Sequence, residues 1–248
     1  MARIMGNKRN DVLNGTNTAD KVYGGGGDDQ IWGHGGNDQI YGEAGNDTIY
    51  GGAGGDLIFG GDGNDTIYAG TMIDDVGDGL NYHLNGGAGN DAIYGDSDGD
   101  ELSGGMGADF LRGGPGADTF LYHTFFADSQ EGVGVDTIDD YEPGTDTILF
   151  FFADANASVP GYQTWSYAGS EAPADHLDSA NGQFTIGLNP AGQTVLRLYN
   201  NDTDAAGNLQ ADFTLIFNGP TDSFALGDIQ ITGSDNQLVQ WQALDYWI

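Results

Sequence analysis

Aspartate recurs in this chain at intervals of nine. Asp11, Asp20, Asp29, Asp38, Asp47, Asp56 and Asp65 form one series, and Asp91, Asp100, Asp109 and Asp118 a second. Most stand at the end of Gly-Gly-x-Gly-x-Asp, as twice over in GGAGGDLIFGGDGNDTIY at 51–68. Two residues after each acid comes an apolar side chain: Leu13, Val22, Ile31, Ile40, Ile49, Ile58, Ile67, Ile93, Leu102, Leu111 and Phe120. Carboxylates in register beside glycine-rich turns with free carbonyls are a donor set for hard cations, and a poor place for a tuned acid–base pair.

The elements that position these acids follow from the same period. A turn of the form Gly-Gly-x-Gly needs positive φ and close backbone packing, and 32 of the 44 glycines fall in the first 118 residues. The remaining x-aliphatic-x alternates outward, inward, outward as a short strand does. A six-residue turn and a three-residue strand make half a coil, so two repeats complete one turn of a right-handed parallel β-roll whose aliphatic ladder is a thin shared core. Repeats n and n+2 then lie one above the other. Asp29 stands over Asp47 over Asp65 on one edge, and Asp38 over Asp56 over Asp74 on the other. The interruption at 69–85 reads as two damaged copies, in which Asp74 and Val76 keep the first frame and Leu84 the second.

Stacked carboxylates repel. At a strand spacing of about 4.8 Å and an effective dielectric near 20, two unit charges cost roughly 3–4 kcal/mol. A divalent cation between them reverses the sign. Calcium, which takes six to eight irregular oxygen ligands, suits such turns better than magnesium, which demands a tight octahedron. The alternative is a solvated acidic face on a glycine-rich linker.

The eleven copies resemble the nonapeptide Gly-Gly-x-Gly-x-Asp-x-aliphatic-x of the RTX family. The resemblance implies multiple Ca2+ ions. Their ligands would be the sixth-position aspartates Asp11, Asp20, Asp29, Asp38, Asp47, Asp56, Asp65, Asp74, Asp91, Asp100, Asp109 and Asp118. Turn carbonyls would join them, at Gly24, Gly26, Gly33, Gly35, Gly42, Gly51, Gly60, Gly86, Gly104 and Gly113. Among the copies that depart from the pattern, GNKRND at 6–11 and GTNTAD at 15–20 lack the inner glycines, and GDSDGD at 95–100 moves one.

After Asp118 the period stops. Short strands follow (TFLYHTFF, TILFFF, QFTIGLN, TVLRLYN, ADFTLIF, DIQIT, QLVQW), with Asn189-Pro190-Ala191-Gly192 as a hairpin turn between two of them. The reading is all-β: an RTX roll over 1–122 with an irregular insertion at about 69–85, then an antiparallel β-sandwich-like cap over 123–248 that ends in a secretion signal. GADTFLYHTFFADSQEGVGVDTIDDYEPGTDTILF, from Gly116 to Phe150, is similar to the roll-to-cap transition of the serralysin C-terminal domain, and TVLRLYNNDTDAAGNLQADFTLIFNG to that domain's later hairpin. That resemblance implies a further calcium site where Asp136, Asp139, Asp140 and Asp146 cluster, with Asp136 and Asp140 as its ligands. NNDTDAAG at 200–207 spaces acids like a calcium loop, but Ala205 stands where an EF-hand needs glycine, so a solvated turn is expected.

No His-Glu-x-x-His or Gly-x-Ser-x-Gly occurs, and His34, His83, His123 and His176 are widely spaced, so no catalytic residue and no enzyme is expected. Outward-facing aromatics should stack, Trp32 with Tyr50 and Tyr68 on one sheet and Tyr23 with Tyr41 and Phe59 on the other. Cross-strand packing accounts for them; the sharper reading is a platform for a polysaccharide or cell-surface ligand.

Composition sets the compartment. The formal charge is 6 − 38 = −32, and residues 22–248 hold only Arg112 and Arg197 against 36 acids, which excludes a nucleic-acid partner. There is no cysteine, no N-terminal secretory run and no membrane span. High charge with low hydrophobicity means disorder unless the charge is neutralised. The ending Asp245-Tyr246-Trp247-Ile248 resembles the acid-plus-three-hydrophobics terminus of secreted RTX proteases, which implies export by a type I (ABC) system. The expected function is that of a secreted, extracellular calcium-binding protein whose folding is driven by calcium after export. The alternatives are a C-terminal module of a larger extracellular protease, lipase or alginate epimerase, and an adhesin for polysaccharide or a cell surface.

Overall fold

In the computed structural model, residues 1–70, 83–124, 134–152, 166–167, 183–191, 193–199, 213–218 and 229–232 are described. Thirteen strands run through the repeat region: β1 Arg3–Met5, β2 Val12–Asn14, β3 Lys21–Gly26, β4 Gln30–Gly35, β5 Gln39–Ala44, β6 Thr48–Ala53, β7 Leu57–Asp62, β8 Thr66–Tyr68, β9 His83–Ala88, β10 Ala92–Tyr94, β11 Glu101–Met106, β12 Phe110–Arg112 and β13 Thr119–Thr124. Seven follow: β14 Asp136–Ile138, β15 Thr147–Phe152, β16 Ser166–Tyr167, β17 Gln183–Leu188, β18 Thr194–Tyr199, β19 Phe213–Phe217 and β20 Ile229–Thr232. No described residue is helical.

Successive strands alternate between two sheets. Odd strands β1 to β15, with β20 at the end, make a nine-stranded sheet; β2 to β14 continue through β19, β18, β17 and β16 into an eleven-stranded one. Within the repeats every pair is parallel and, except across the interruption, offset by eighteen residues, Val22 opposite Ile40 and Ile31 opposite Ile49. This is the parallel β-roll that the nine-residue period demands.

Between the sheets the aliphatic ladder forms a core one side chain thick. Val22, Ile31, Ile40, Ile49, Ile58, Ile67, Ile93, Leu102, Leu111 and Phe120 are all 0% exposed. At about 25 cal/mol per Å² of buried apolar area each rung stabilises its coil by no more than about 1.5–3 kcal/mol, so the core cannot absorb much charge repulsion in the turns.

The interruption differs from expectation. Ile58 pairs with Leu84 and Ile67 with Ile93, so no rung lies between them in either sheet. The step from Ile67 to Leu84 is 84 − 67 = 17 residues, one repeat of nine carrying eight extra, and not two damaged copies. Asp74 and Val76 lie outside the described residues.

Both sheets run on beyond the last glycine-rich repeat. Ile138 stacks on Leu111, and Ile148 on Phe120, both 0% exposed. Parallel pairing then carries β14 to β19 and β15 to β20. The antiparallel part of the cap is the meander β17–β18–β19. Its first hairpin closes at Asn189, whose side-chain oxygen accepts from the amides of Ala191 and Gln193, as the Asn-Pro-Ala-Gly turn predicts. The expected strand QLVQW and the loop at 200–207 fall outside the described residues.

Candidate metal centre

Each turn is held between two coils. The amide of its first glycine donates to the carbonyl of the ninth residue of the next coil, as Gly6 to Tyr23 at 2.8 Å and Gly95 to Arg112 at 2.8 Å. The second and fourth positions take positive φ in most copies, 109° at Gly25 and 91° at Gly27, a conformation that favours glycine although His34 and Glu43 also adopt it.

The sixth-position aspartates from Asp20 onward are buried, and with Asp11 they form two columns. In most of them one oxygen, Oδ1, accepts the backbone N–H of the aspartate one coil earlier. Along one edge these bonds run from Asp11 to Asp29, Asp29 to Asp47, Asp47 to Asp65, Asp65 to Asp91 and Asp91 to Asp109, at 2.7–2.8 Å. Along the other, Asp20 donates to Asp38, Asp38 to Asp56 and Asp100 to Asp118, also at 2.7–2.8 Å. Between Asp56 and Asp100 the sixth position is Tyr82, which carries no carboxylate and lies outside the described residues.

The other oxygen carries the chemistry. Oδ2 of Asp29, Asp38, Asp47, Asp65, Asp91, Asp109 and Asp118 is buried and meets no hydrogen-bond donor. It lies against the first glycine of its own repeat, on the side where that glycine also meets the carbonyl of the first glycine one coil on. At Gly42 the two oxygens are Asp47 Oδ2 and Gly60 O; at Gly60 they are Asp65 Oδ2 and Gly86 O. Gly24, Gly33 and Gly86 have the same kind of neighbours, Gly51 meets Asp56 Oδ2 and the carbonyl of Ala69, and a Cβ at any of them would overlap both. Gly104 and Gly113 face the carboxylates of Asp109 and Asp118. Gly26 and Gly35 sit at the outer bend, where the nearest atoms to an added Cβ are 3.7 Å away.

An anionic oxygen and a carbonyl oxygen crowded together with no donor between them fit a cation and little else. Without one, burial raises these carboxyls, despite the amide each accepts: Asp38 and Asp47 to about 6, and Asp65, Asp91 and Asp118 to about 7. No three acidic, histidine or cysteine side chains converge among the described residues. A cation here would rest on one or two carboxylates and several carbonyls, the all-oxygen shell that calcium accepts.

Four aspartates differ. Oδ2 of Asp11 accepts the amide of Asn7, that of Asp20 the amide and hydroxyl of Thr16, that of Asp100 the amide of Asp96, and that of Asp146 the amide of Glu142. The amide of Ala2, with the hydroxyl and amide of Thr16, holds the Asp20 carboxyl below the usual range.

Asp136, Asp139, Asp140 and Asp146 do not converge on one point. Asp136 and Asp146 continue the two columns, accepting from Asp109 at 2.9 Å and Asp118 at 3.0 Å. Burial raises Asp136 to about 7. Asp140 accepts the amides of Gly113 and Gly114 and lies 3.4 Å from Arg112, closing the end of that turn. Asp139 accepts from Asn218. The signal for the two extra rungs is present as Asp-Thr-Ile at 136–138 and again at 146–148, but the turns before them, EGVGVD and YEPGTD, lack the first-position glycine of the repeats.

A third column was not foreseen. The fifth-position side chains Asn10, Asp28, Asn46, Asn64 and Asn90 each accept the amide one coil on, at 2.7–3.0 Å, along the edge of Asp29 and Asp47. The aromatics stack as expected. Tyr23, Tyr41 and Phe59 lie 5.1 and 5.3 Å apart, while Trp32, Tyr50, Tyr68 and Tyr94 are separated by 5.5, 5.0 and 4.9 Å. Inner rings therefore spend their faces on one another. His34 approaches Asn14 and His83 approaches Glu101. His176 and Asp245-Tyr246-Trp247-Ile248 lie outside the described residues, as does the side chain of His123.

No curated protein matches the chain. Among solved structures it aligns with the solution structure of the AlgE6R3 subunit from the Azotobacter vinelandii mannuronan C5-epimerase, at 21% identity over 97% of this chain and 87% of that one, with a TM-score of 0.27. The family model described as RTX calcium-binding nonapeptide repeat (4 copies) matches residues 5–40, 41–71 and 85–120. Those segments of this chain are RTX calcium-binding repeats, a family whose members bind multiple Ca2+ ions.

Proposed function

We propose that this is a secreted calcium-binding protein without catalytic activity, exported unfolded by a type I system and folded outside by the ion it binds. The observation that carries the reading is the set of seven buried carboxylate oxygens with no donor, each beside a glycine and, along most of both columns, a carbonyl of the next coil. Calcium would be held by Oδ2 of Asp29, Asp38, Asp47, Asp65, Asp91, Asp109 and Asp118 with first-glycine carbonyls such as those of Gly42, Gly60, Gly86 and Gly104. It supplies positive charge where the fold concentrates negative charge. The protein's own part is to align the oxygens, through the Asp-to-Asp amide bonds, and to exclude water from them.

Site affinity in the weak extracellular range, about 10⁻⁴–10⁻³ M, makes the switch directional. Inside a cell, where calcium is far lower, the repeats stay extended by a charge of −32. Outside, binding to the folded state alone pulls the equilibrium over by mass action and opposes backward slippage. No helix of the described residues is long and apolar enough to cross a membrane.

Two experiments test the two halves. Circular dichroism should show a largely disordered chain in chelator that becomes β-rich in millimolar calcium; equal β-content in both sinks the calcium half. Deleting the last 60 or so residues should stop secretion from a host with a type I exporter while calcium binding by residues 24–118 remains. Secretion at the full rate sinks the export half.

A further inference from the structure

The turns fall into two classes, and the backbone at one position separates them. In the seven turns whose aspartate Oδ2 meets no donor, the residue four before the aspartate has positive φ: Gly25 109°, His34 76°, Glu43 76°, Gly61 121°, Gly87 112°, Gly105 100° and Gly114 96°. In the four turns whose Oδ2 is satisfied, that residue is Asn7, Thr16, Asp96 or Glu142, and none has positive φ. There its amide points to the carboxylate, at 2.7–2.8 Å. His34 and Glu43 adopt the left-handed conformation despite their side chains, at a cost of order 1 kcal/mol each, so the open geometry is imposed by the coil and not merely permitted by glycine.

Building on the calcium-binding reading above, we propose that the turns ending at Asp11, Asp20, Asp100 and Asp146 are closed turns that take no cation, a backbone N–H standing where the cation stands elsewhere. An amide aimed at the carboxylate supplies the positive end of a dipole to the buried oxygen. It also occupies the direction from which a cation would bind, and cation and N–H cannot share it. The consequence for the molecule is a segmented array. Both edges begin with a closed turn, at Asp11 and Asp20, and the second edge ends with one, at Asp146. The edge of Asp29, Asp47, Asp65, Asp91 and Asp109 is an unbroken row of open turns, whereas the other is interrupted by Asp100. The first coil is thereby capped without calcium and offers a formed surface on which the first calcium-filled coil can stack.

The test turns on an opposition between charge and geometry. The double variant Asp96→Gly/Asp98→Gly converts GDSDGD into GGSGGD, the same form as GGAGGD at 51–56, and removes two acids. Calcium bound by the full chain is counted by native mass spectrometry at saturating calcium, with folding confirmed by circular dichroism. The double variant should hold one more calcium than the parent despite two fewer carboxylates. Asp100→Asn should leave the count unchanged, while Asp47→Asn lowers it. A double variant that folds yet holds the same number or fewer overturns the proposal, and so does an Asp100→Asn chain that loses calcium as Asp47→Asn does. If the double variant does not fold, the comparison of Asp100→Asn with Asp47→Asn decides alone. A parent chain that binds no calcium overturns the calcium-binding reading, and this proposal with it; loss in both single variants overturns this proposal only.

Discussion

The backbone N–H of Asp47 donates to Oδ1 of Asp65 at 2.7 Å, eighteen residues along the chain and one coil up the roll, while Oδ2 of the same Asp65 carboxylate meets no donor. One oxygen of each carboxylate thus sets the coil-to-coil register and the other is left for the ion. The two roles can be separated. Asp65→Asn keeps an oxygen for the Asp47 amide but replaces the bare one with an amide donor. It should raise the calcium midpoint of folding severalfold while leaving a folded chain at saturating calcium. Asp65→Ala also strands the Asp47 amide and should cost a further 1–3 kcal/mol or so at saturating calcium. Urea unfolding in excess calcium measures that difference; equal stabilities would mean that the amide bond does not set the register.

A methyl group at the first glycine of a repeat should be far worse than at the third. At Gly42 it would overlap Asp47 Oδ2 and Gly60 O together, whereas at Gly26 its nearest neighbour is 3.7 Å away. Gly42→Ala should destabilise the calcium-loaded roll by about 1–3 kcal/mol or more, and Gly26→Ala by no more than about 0.5 kcal/mol. Thermal unfolding in calcium checks both, and similar losses would mean that the first glycine has no special neighbours.

The repeat region was legible because one period sets both the aliphatic rung and the acid. Ile31 and Ile40 point inward and Asp29 and Asp38 lie in the turns for the same reason, the two-residue alternation of a strand after a fixed-length turn. What escaped has no mark in a single repeat. The column of Asn10, Asp28, Asn46, Asn64 and Asn90 appears only when every second copy is compared. The rungs of Asp136 and Asp146 keep the acid and the aliphatic, but their turns EGVGVD and YEPGTD lack the first-position glycine that opens each of the eleven copies. The closed turn at Asp100 depends on a peptide orientation at Asp96, and since His34 and Glu43 occupy the same position in open turns, residue type alone does not decide it. The extra eight residues after Ile67 were divided between two rungs because Asp74 and Val76 happen to hold the frame.

Tyr50 stacks on Trp32 at 5.5 Å and on Tyr68 at 5.0 Å, outside the sheet and away from the turns. Tyr50→Ala should lose two aromatic pairs, about 1–3 kcal/mol together, and lower the melting temperature in calcium without changing the number of ions bound. A changed calcium count would tie the outer face to the turns in a way the packing does not suggest.

Acidity should substitute in part for calcium. Burial raises the carboxyls of Asp38 and Asp47 to about 6 and those of Asp65, Asp91, Asp118 and Asp136 to about 7, well above the value of about 4 in an unfolded chain. A carboxyl raised on folding favours the fold where it is protonated. Its contribution is complete below about pH 4 and is lost as pH rises through 6 to 7. In chelator, β-structure measured by circular dichroism should therefore increase from pH 8 to pH 5. In subsaturating calcium the same acidification should weaken binding, since protons and calcium compete for Oδ2. A chelated chain that gains no order on acidification would contradict the burial of these groups.

The central claim is that calcium, by neutralising the bare carboxylate oxygens, holds the coils together. Amide hydrogen exchange across residues 24–118 at pH 7.5, in millimolar calcium and in chelator, reads the Asp-to-Asp bonds themselves. The amides of Asp29, Asp47, Asp65 and Asp91 should exchange at least about 100-fold more slowly with calcium than without, a change of about 2.7 kcal/mol in opening free energy. Equal, strong protection of these amides in chelator would contradict the account.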